Sequence, residues 1–106
     1  MPEPSQQGQI WEATSRLSGR KTTVVLLDSD VVIRSRPMLT VAPIREAREV
    51  PSRHQLLTVA MAAGTEVVAL YDIAILAKET LTEQLGVLPP DVLEKVKIGL
   101  RARFDL

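Results

Sequence analysis

Arg16, Arg20, Lys21, Arg34, Arg36, Arg45, Arg48 and Arg53 crowd into the first half of the chain, and what they can do depends on what accompanies them. There is no cysteine and a single histidine, His54, so Cys–His nucleophile pairs and cysteine-rich zinc modules are excluded. Nucleotide-binding loops of the G-x-x-x-x-G-K-[ST] or G-x-G-x-x-G type are absent, as are an H-E-x-x-H helix and a G-x-S-x-G elbow. Asp28 and Asp30 form a close carboxylate pair suited to a hard cation, but no third ligand stands near them, and the two-residue offset reads as a turn. His54 is of the residue type that most often serves as a general base, although its flank, SRHQ, reads as an exposed loop edge.

One chemistry can proceed with such a set. RNA carries its own nucleophile, the 2′-hydroxyl beside the phosphate. Cleavage by internal attack needs a group to take that proton, a group to protonate the leaving oxygen, and positive charge around the phosphorane. It requires neither metal nor cysteine, and no cofactor is expected. Arginine holds a phosphate through two parallel hydrogen bonds, so an arginine-lined rim suits the reaction. Because its guanidinium stays protonated in proteins it is a poor base, and electrostatic stabilisation is its natural role.

The elements that must position these groups follow from the pattern. At 106 residues the chain is expected to form one domain, 1–106, with residues 1–7 as a frayed tail. GQIWEA (8–13) is a short strand candidate carrying the tryptophan, and SRLSGRK (15–21) is a basic loop. TTVVLLDSDVV (22–32) reads as a strand buried on both faces and ending near Asp28-Ser29-Asp30, with a basic turn over 33–37. MLTVAPI (38–44) is the next strand. It ends abruptly in a charged connection, which places Arg45 at the rim of a site. HQLLTVAM (54–61) and EVVALYDIAIL (66–76) are further strands with a turn over 62–65, and KETLTEQLG (78–86) is ambiguous. PPDVLEKVKIGLRARF (89–104) is a helix: Pro90 suits its first turn, Asp91 the positive end of its dipole, and Val92, Val96, Leu100 and Phe104 form one apolar stripe. Loops too short for crossover helices imply antiparallel pairing. The expected class is mainly β with α, a small antiparallel barrel or curled sheet with helical cover.

Charge and composition narrow the setting. The 13 basic and 13 acidic residues cancel, which argues against broad electrostatic adhesion to nucleic acid. No run approaches the roughly 20 apolar residues of a membrane span, and the polar start MPEPSQQGQ is unlike a secretory signal. A soluble intracellular protein that does not engage membranes is expected.

The carboxyl-terminal third, with Leu85-Gly86-Val87-Leu88-Pro89 and Gly99-Leu100-Arg101-Ala102-Arg103-Phe104-Asp105-Leu106, resembles the end of the MazF/PemK/Kid toxins. Gly8-Gln9-Ile10-Trp11 is similar to that family's opening G-D/E-I-W, and Val41-Ala42-Pro43-Ile44 to its central V-A-P-I/L. The likeness spans nearly the whole chain. It implies an SH3-like antiparallel barrel with a C-terminal helix, a homodimer, a cognate antitoxin, a bacterial cytoplasmic location, and metal-independent cleavage of single-stranded RNA at short sequences. The products implied are a 2′,3′-cyclic phosphate and a 5′-hydroxyl.

Departures fall at the expected site. The family enters its second strand with R-P-A-L-V, whereas this chain reads Gly19-Arg20-Lys21-Thr22, so either Arg20 or Lys21 takes the arginine's role. Arg45 stands where the family has a Thr or Ser after V-A-P-I, and Asp72 where it tends to have glutamine; an acid there repels phosphate unless it pairs with an arginine. Arg20, Lys21 and Arg45 are therefore the catalytic candidates, and Trp11, Arg36 and Asp72 the substrate-binding ones. Trp11 has two readings, stacking on a base or burial in the sheet. Two alternatives to the nuclease stand open: a CcdB-like toxin acting on DNA gyrase through the end of the terminal helix, or a degenerate member that only binds an antitoxin. For Phe104, the spacing favours a place as the last core residue of the helix.

Overall fold

In the computed structural model, which describes residues 3–61 and 64–106, the apolar run after Thr23 serves two cores at once. Val24 and Leu26 turn to one face of a sheet, Val25 and Leu27 to the other, and all four are buried. Side chains alternate along a strand, so consecutive apolar residues imply burial on both faces.

The elements run β1 (Gln9–Thr14), β2 (Lys21–Leu26), α1 (Asp30–Ser35), β3 (Met38–Glu46), β4 (Thr58–Ala60), β5 (Glu66–Ala69), β6 (Ala74–Ala77), β7 (Leu81–Val87) and α2 (Pro90–Phe104). Single 3₁₀ segments cover Ala47–Glu49, Ser52–Leu57, Leu70–Asp72 and Lys78–Thr80. Among the described residues the strands join in the order β4-β5-β3-β2-β1-β7, with β6 also on β3, and every pairing is antiparallel. This is the expected mainly-β class with a C-terminal helix, but the sheet curls without closing: β4 and β7 end the path.

One core lies between the sheet and α2, gathering Val25, Ala42, Val59, Val68, Leu70, Val92 and Val96. The other fills one end of the opposite, concave face with Trp11, Leu26, Ile33, Leu39, Val41 and Leu81. Each buried Val, Leu or Ile contributes about 1.5–3 kcal/mol. Helix α2 starts with Pro90 in its first turn and ends at Asp105 in the left-handed conformation (φ 55°), where the Leu106 N–H reaches back to the Arg101 carbonyl at 2.9 Å. That is the usual closure of a helix terminus.

Gly99 brings α2 close to the sheet: a Cβ there would meet Leu70 Cδ1 at 2.5 Å. Leu70 is fully buried, in the core cluster that also holds Val68, Val92 and Val96. Gly99→Ala is expected to destabilise the fold by about 1–3 kcal/mol, the usual cost of overpacking, read as a lower urea midpoint at unchanged slope. An unchanged midpoint would mean that α2 sits further from Leu70.

Strand β3 partners three others in succession. Met38–Val41 pair with β6, Val41–Pro43 with β2, and Ile44–Glu46 with β5. Ala42 and Pro43 thus have no partner in β5 or β6, and Pro43, which has no N–H to give a ladder, falls in that interval. The chain between β5 and β6 bulges into the 3₁₀ turn Leu70–Asp72 at the same place. The run 66–76, expected as one strand, is therefore two.

Other expectations are revised. Residues 30–35, read as strand end and basic turn, form α1, with Ile33 buried and Val31 and Val32 exposed. Over 54–61 only Thr58–Ala60 is strand. The ambiguous 78–86 supplies β7, paired with β1. In the turn expected over 62–65, Ala62 and Ala63 lie outside the described residues. In the tail 1–7, read as frayed, Gln7 is tied down: its N–H donates to Asp30 Oδ1 at 2.8 Å and its Nε2 to the Leu27 carbonyl at 2.8 Å, while the following Gly8 N–H donates to the Leu26 carbonyl at 2.8 Å. Phe104 is 56% exposed instead of ending the core, because α2 runs past the sheet it packs on.

Candidate functional site

The second core does not fill the whole concave face. Beyond Val24 and Val41 it opens into a cleft of about 580 Å³, floored by Ala13, Thr22, Pro43 and Ala74 and bounded by the β1–β2 loop, Arg45, Asp72 and Thr80. Strand alternation decides the floor: Ala13 faces Thr22, and Val24 faces Pro43 across the ladders, so their side chains share one face.

The β1–β2 loop forms one wall. It is tightened by hydrogen bonds from the Gly19 N–H to the Ser15 carbonyl and from the Ser15 N–H to the Arg20 carbonyl, each 2.9 Å. Gly19 turns the chain at φ +71°, a conformation that favours glycine. The loop brings Arg16 and Arg20 to the cleft. Arg16 is paired with Glu79 at 2.6 Å, whereas Arg20 has no ion-pair partner among the described residues.

Arg45 forms the opposite side. Its Nη2 donates to Asp72 Oδ2 at 2.6 Å and its Nη1 to the Tyr71 hydroxyl at 3.1 Å. The guanidinium carbon lies 5.6 Å from the centre of the Tyr71 ring. On that ring His54 is stacked, 4.6 Å between centroids and 7° from parallel. The hydrogen bond to Tyr71, opposed by partial burial and reinforced by Asp72, raises the Arg45 pKa above its ordinary value. Arg45 is thus a permanent cation and a hydrogen-bond donor, never a base. Asp72, whose charge would repel a phosphate, is paired with it.

The six candidate residues are sorted by this geometry. Arg20, Arg45 and Asp72 line the same cleft. Lys21 does not: it is one residue along β2, projects to the opposite face beside Glu12, and stands 3.5 Å from that carboxylate. Trp11 is 2% exposed, with its Nε1–H donating to Gln9 Oε1 at 3.3 Å, so its ring is core and not a stacking platform. Arg36 follows α1, exposed and outside the cleft. Sequence reasoning overlooked Arg16, Thr22 and Tyr71. Arg16 belonged to a loop already recognised as basic, but nothing local connected Tyr71 to Arg45, 26 residues away.

Elsewhere the chemistry is thinner. Asp28 and Asp30 each accept a backbone N–H, from Thr40 and Gln7, at 2.8 Å. Among the described residues no group of three His, Cys, Asp or Glu could hold a metal ion, and no helix is long and apolar enough to cross a membrane. A second cavity, about 620 Å³ beside Pro4, Trp11 and Met38, sets Glu3 and Glu79 against Lys78 and has no arginine in its lining. The arginines gather at the first.

The model of the family described as "PemK-like, MazF-like toxin of type II toxin-antitoxin system" matches residues 6–104. No curated protein sequence matches the chain. Among solved structures it is similar to an endoribonuclease from a mycobacterial species (TM-score 0.80, 19% identity, covering 100% of this chain and 95% of that one). An endoribonuclease in complex with its cognate antitoxin, also mycobacterial, has a TM-score of 0.79 at 19% identity, with 95% of each chain covered. A MazE–MazF structure from Deinococcus radiodurans has a TM-score of 0.78 at 17% identity, covering 100% of this chain and 99% of that one.

Proposed function

The chain belongs to the PemK-like, MazF-like toxins of type II toxin-antitoxin systems, and from that premise we propose that it is a metal-independent endoribonuclease cutting single-stranded RNA at short sequences. The observation that carries the reading is the convergence of Arg20 and Arg45, from different elements, on one open cleft. Its similarity in fold to two endoribonucleases supports the same reading.

In this reading the scissile phosphate sits between the two arginines. The 2′-oxygen bonds to phosphorus, the 5′-oxygen leaves, and one proton passes overall from the first oxygen to the second. The products are a 2′,3′-cyclic phosphate and a 5′-hydroxyl. Arg45, held charged, and Arg20 stabilise the negative charge that builds on the phosphorane. Asp72 takes the 2′-hydroxyl proton, and its pairing with Arg45 keeps its own charge from repelling the phosphate. The protein works in the bacterial cytoplasm as a homodimer restrained by a cognate antitoxin.

Incubation with a long single-stranded RNA in excess chelator tests this directly. Fragments ending in cyclic phosphate are expected, and RNA that stays intact where a family control cuts would overturn the proposal. A second reading is favoured by one observation: Phe104 and Leu106, at the end of α2, are 56% and 89% exposed. They give a gyrase-directed toxin an apolar tip, and such a toxin would trap cleaved DNA in a gyrase reaction while leaving RNA whole. A member reduced to antitoxin binding would do neither.

A further inference from the structure

Tyr71 is not among the residues lining the cleft, yet its hydroxyl takes a hydrogen bond from Arg45 Nη1 at 3.1 Å. We infer that Tyr71, braced by the stacked ring of His54, is a positioning residue that sets the plane of the Arg45 guanidinium for the scissile phosphate; the inference rests on the ribonuclease reading of the cleft.

A planar guanidinium on a flexible stem is fixed only when held at two points. Asp72 holds Nη2 at 2.6 Å and Tyr71 holds Nη1, so rotation about either contact alone is blocked. Of its five N–H donors these contacts use two, and the remainder suffice for paired hydrogen bonds to a phosphate. Tyr71 is itself anchored. Its ring lies 4.6 Å from the parallel ring of His54, which belongs to the 3₁₀ segment Ser52–Leu57, so a third element fixes the geometry. A cation aligned before the substrate arrives stabilises the transition state without reorganisation. Tyr71 thus acts through Arg45 and touches no substrate.

Tyr71→Phe keeps the ring and its stack on His54 and removes only the acceptor oxygen. On an RNA oligonucleotide spanning a mapped cut, kcat is expected to fall about ten- to hundredfold, with KM within about twofold and the melting temperature nearly unchanged. In an Arg45→Ala background the same change should add nothing, because there is no guanidinium left to orient. A wild-type kcat for Tyr71→Phe, or a loss that adds fully to that of Arg45→Ala, overturns the positioning role while leaving the nuclease intact. A wild-type protein that leaves RNA uncut overturns the reading of the cleft before any variant is made, and the role with it.

Discussion

Arg45→Ala is expected to lower the rate of RNA cleavage by about 10²–10³-fold, the usual loss on removing one preorganised donor from a developing oxyanion. Two effects act together. The variant removes a cation whose pKa is raised by Tyr71 and Asp72, and it leaves the Asp72 carboxylate unpaired beside the phosphate. Arg45→Lys should recover little, since an ammonium is a point charge without the two parallel bonds of the guanidinium. Lys21→Ala provides the contrast. Lys21 is paired with Glu12 on the other face of β2, so cleavage should stay within about twofold of wild type. Gel-resolved cleavage, with melting curves to confirm folding, reads all three. If Lys21→Ala silenced the protein and Arg45→Ala did not, the chemistry would lie outside this cleft. In cells, growth arrest should track Arg45 and be indifferent to Lys21.

Trp11→Ala should cost about 3–5 kcal/mol of stability, as expected for removing a fully buried tryptophan. Trp11 packs with Leu26, Ile33, Leu39, Val41 and Leu81, and it ties its Nε1–H to Gln9. Against a total of about 5–15 kcal/mol for a domain of this kind, that is a large share. Urea unfolding followed by far-ultraviolet circular dichroism measures it, because the substitution removes the tryptophan fluorescence. Trp11→Phe, which keeps most of the ring volume, should lose much less. Should Trp11→Ala melt like wild type yet bind RNA poorly, the ring would be a base-stacking surface after all.

How much of this was visible in the chain depends on the range over which each signal acts. Helix α2 was legible because its signals are local: Pro90 and Asp91 at the start, Val92 and Val96 one turn apart and buried. A consecutive apolar run exposed β2, and the apolar stretch before the charged connection exposed β3, for the same reason. Helix α1 was hidden because Val31-Val32-Ile33 reads as strand, and six residues are too few to display a helical period. What fixes it is remote, the burial of Ile33 among Leu26, Leu39 and Val41. At the site, residue types pointed to guanidinium chemistry, but the choice between Arg20 and Lys21 turned on a register shift of one residue, which moves a side chain to the other face of the sheet. The surroundings of Arg45 come from Tyr71 and Asp72, brought near by tertiary packing that no local pattern announces. The spacing that placed Phe104 in the core was real, but it gave the stripe and not the length of sheet beneath it.

Pro43 lies where β3 passes from β6 to β5 along one edge, and the chain between those two strands makes a detour at the same place. That detour carries Asp72 to the cleft and Tyr71 to the guanidinium of Arg45. A smoother, more regular sheet would have left both further along a straight edge, out of reach of the guanidinium. The candidate site is in that sense built on an irregularity: where β3 passes from one neighbour to the next, the chain beside it turns, and the turn supplies Asp72 to the cleft.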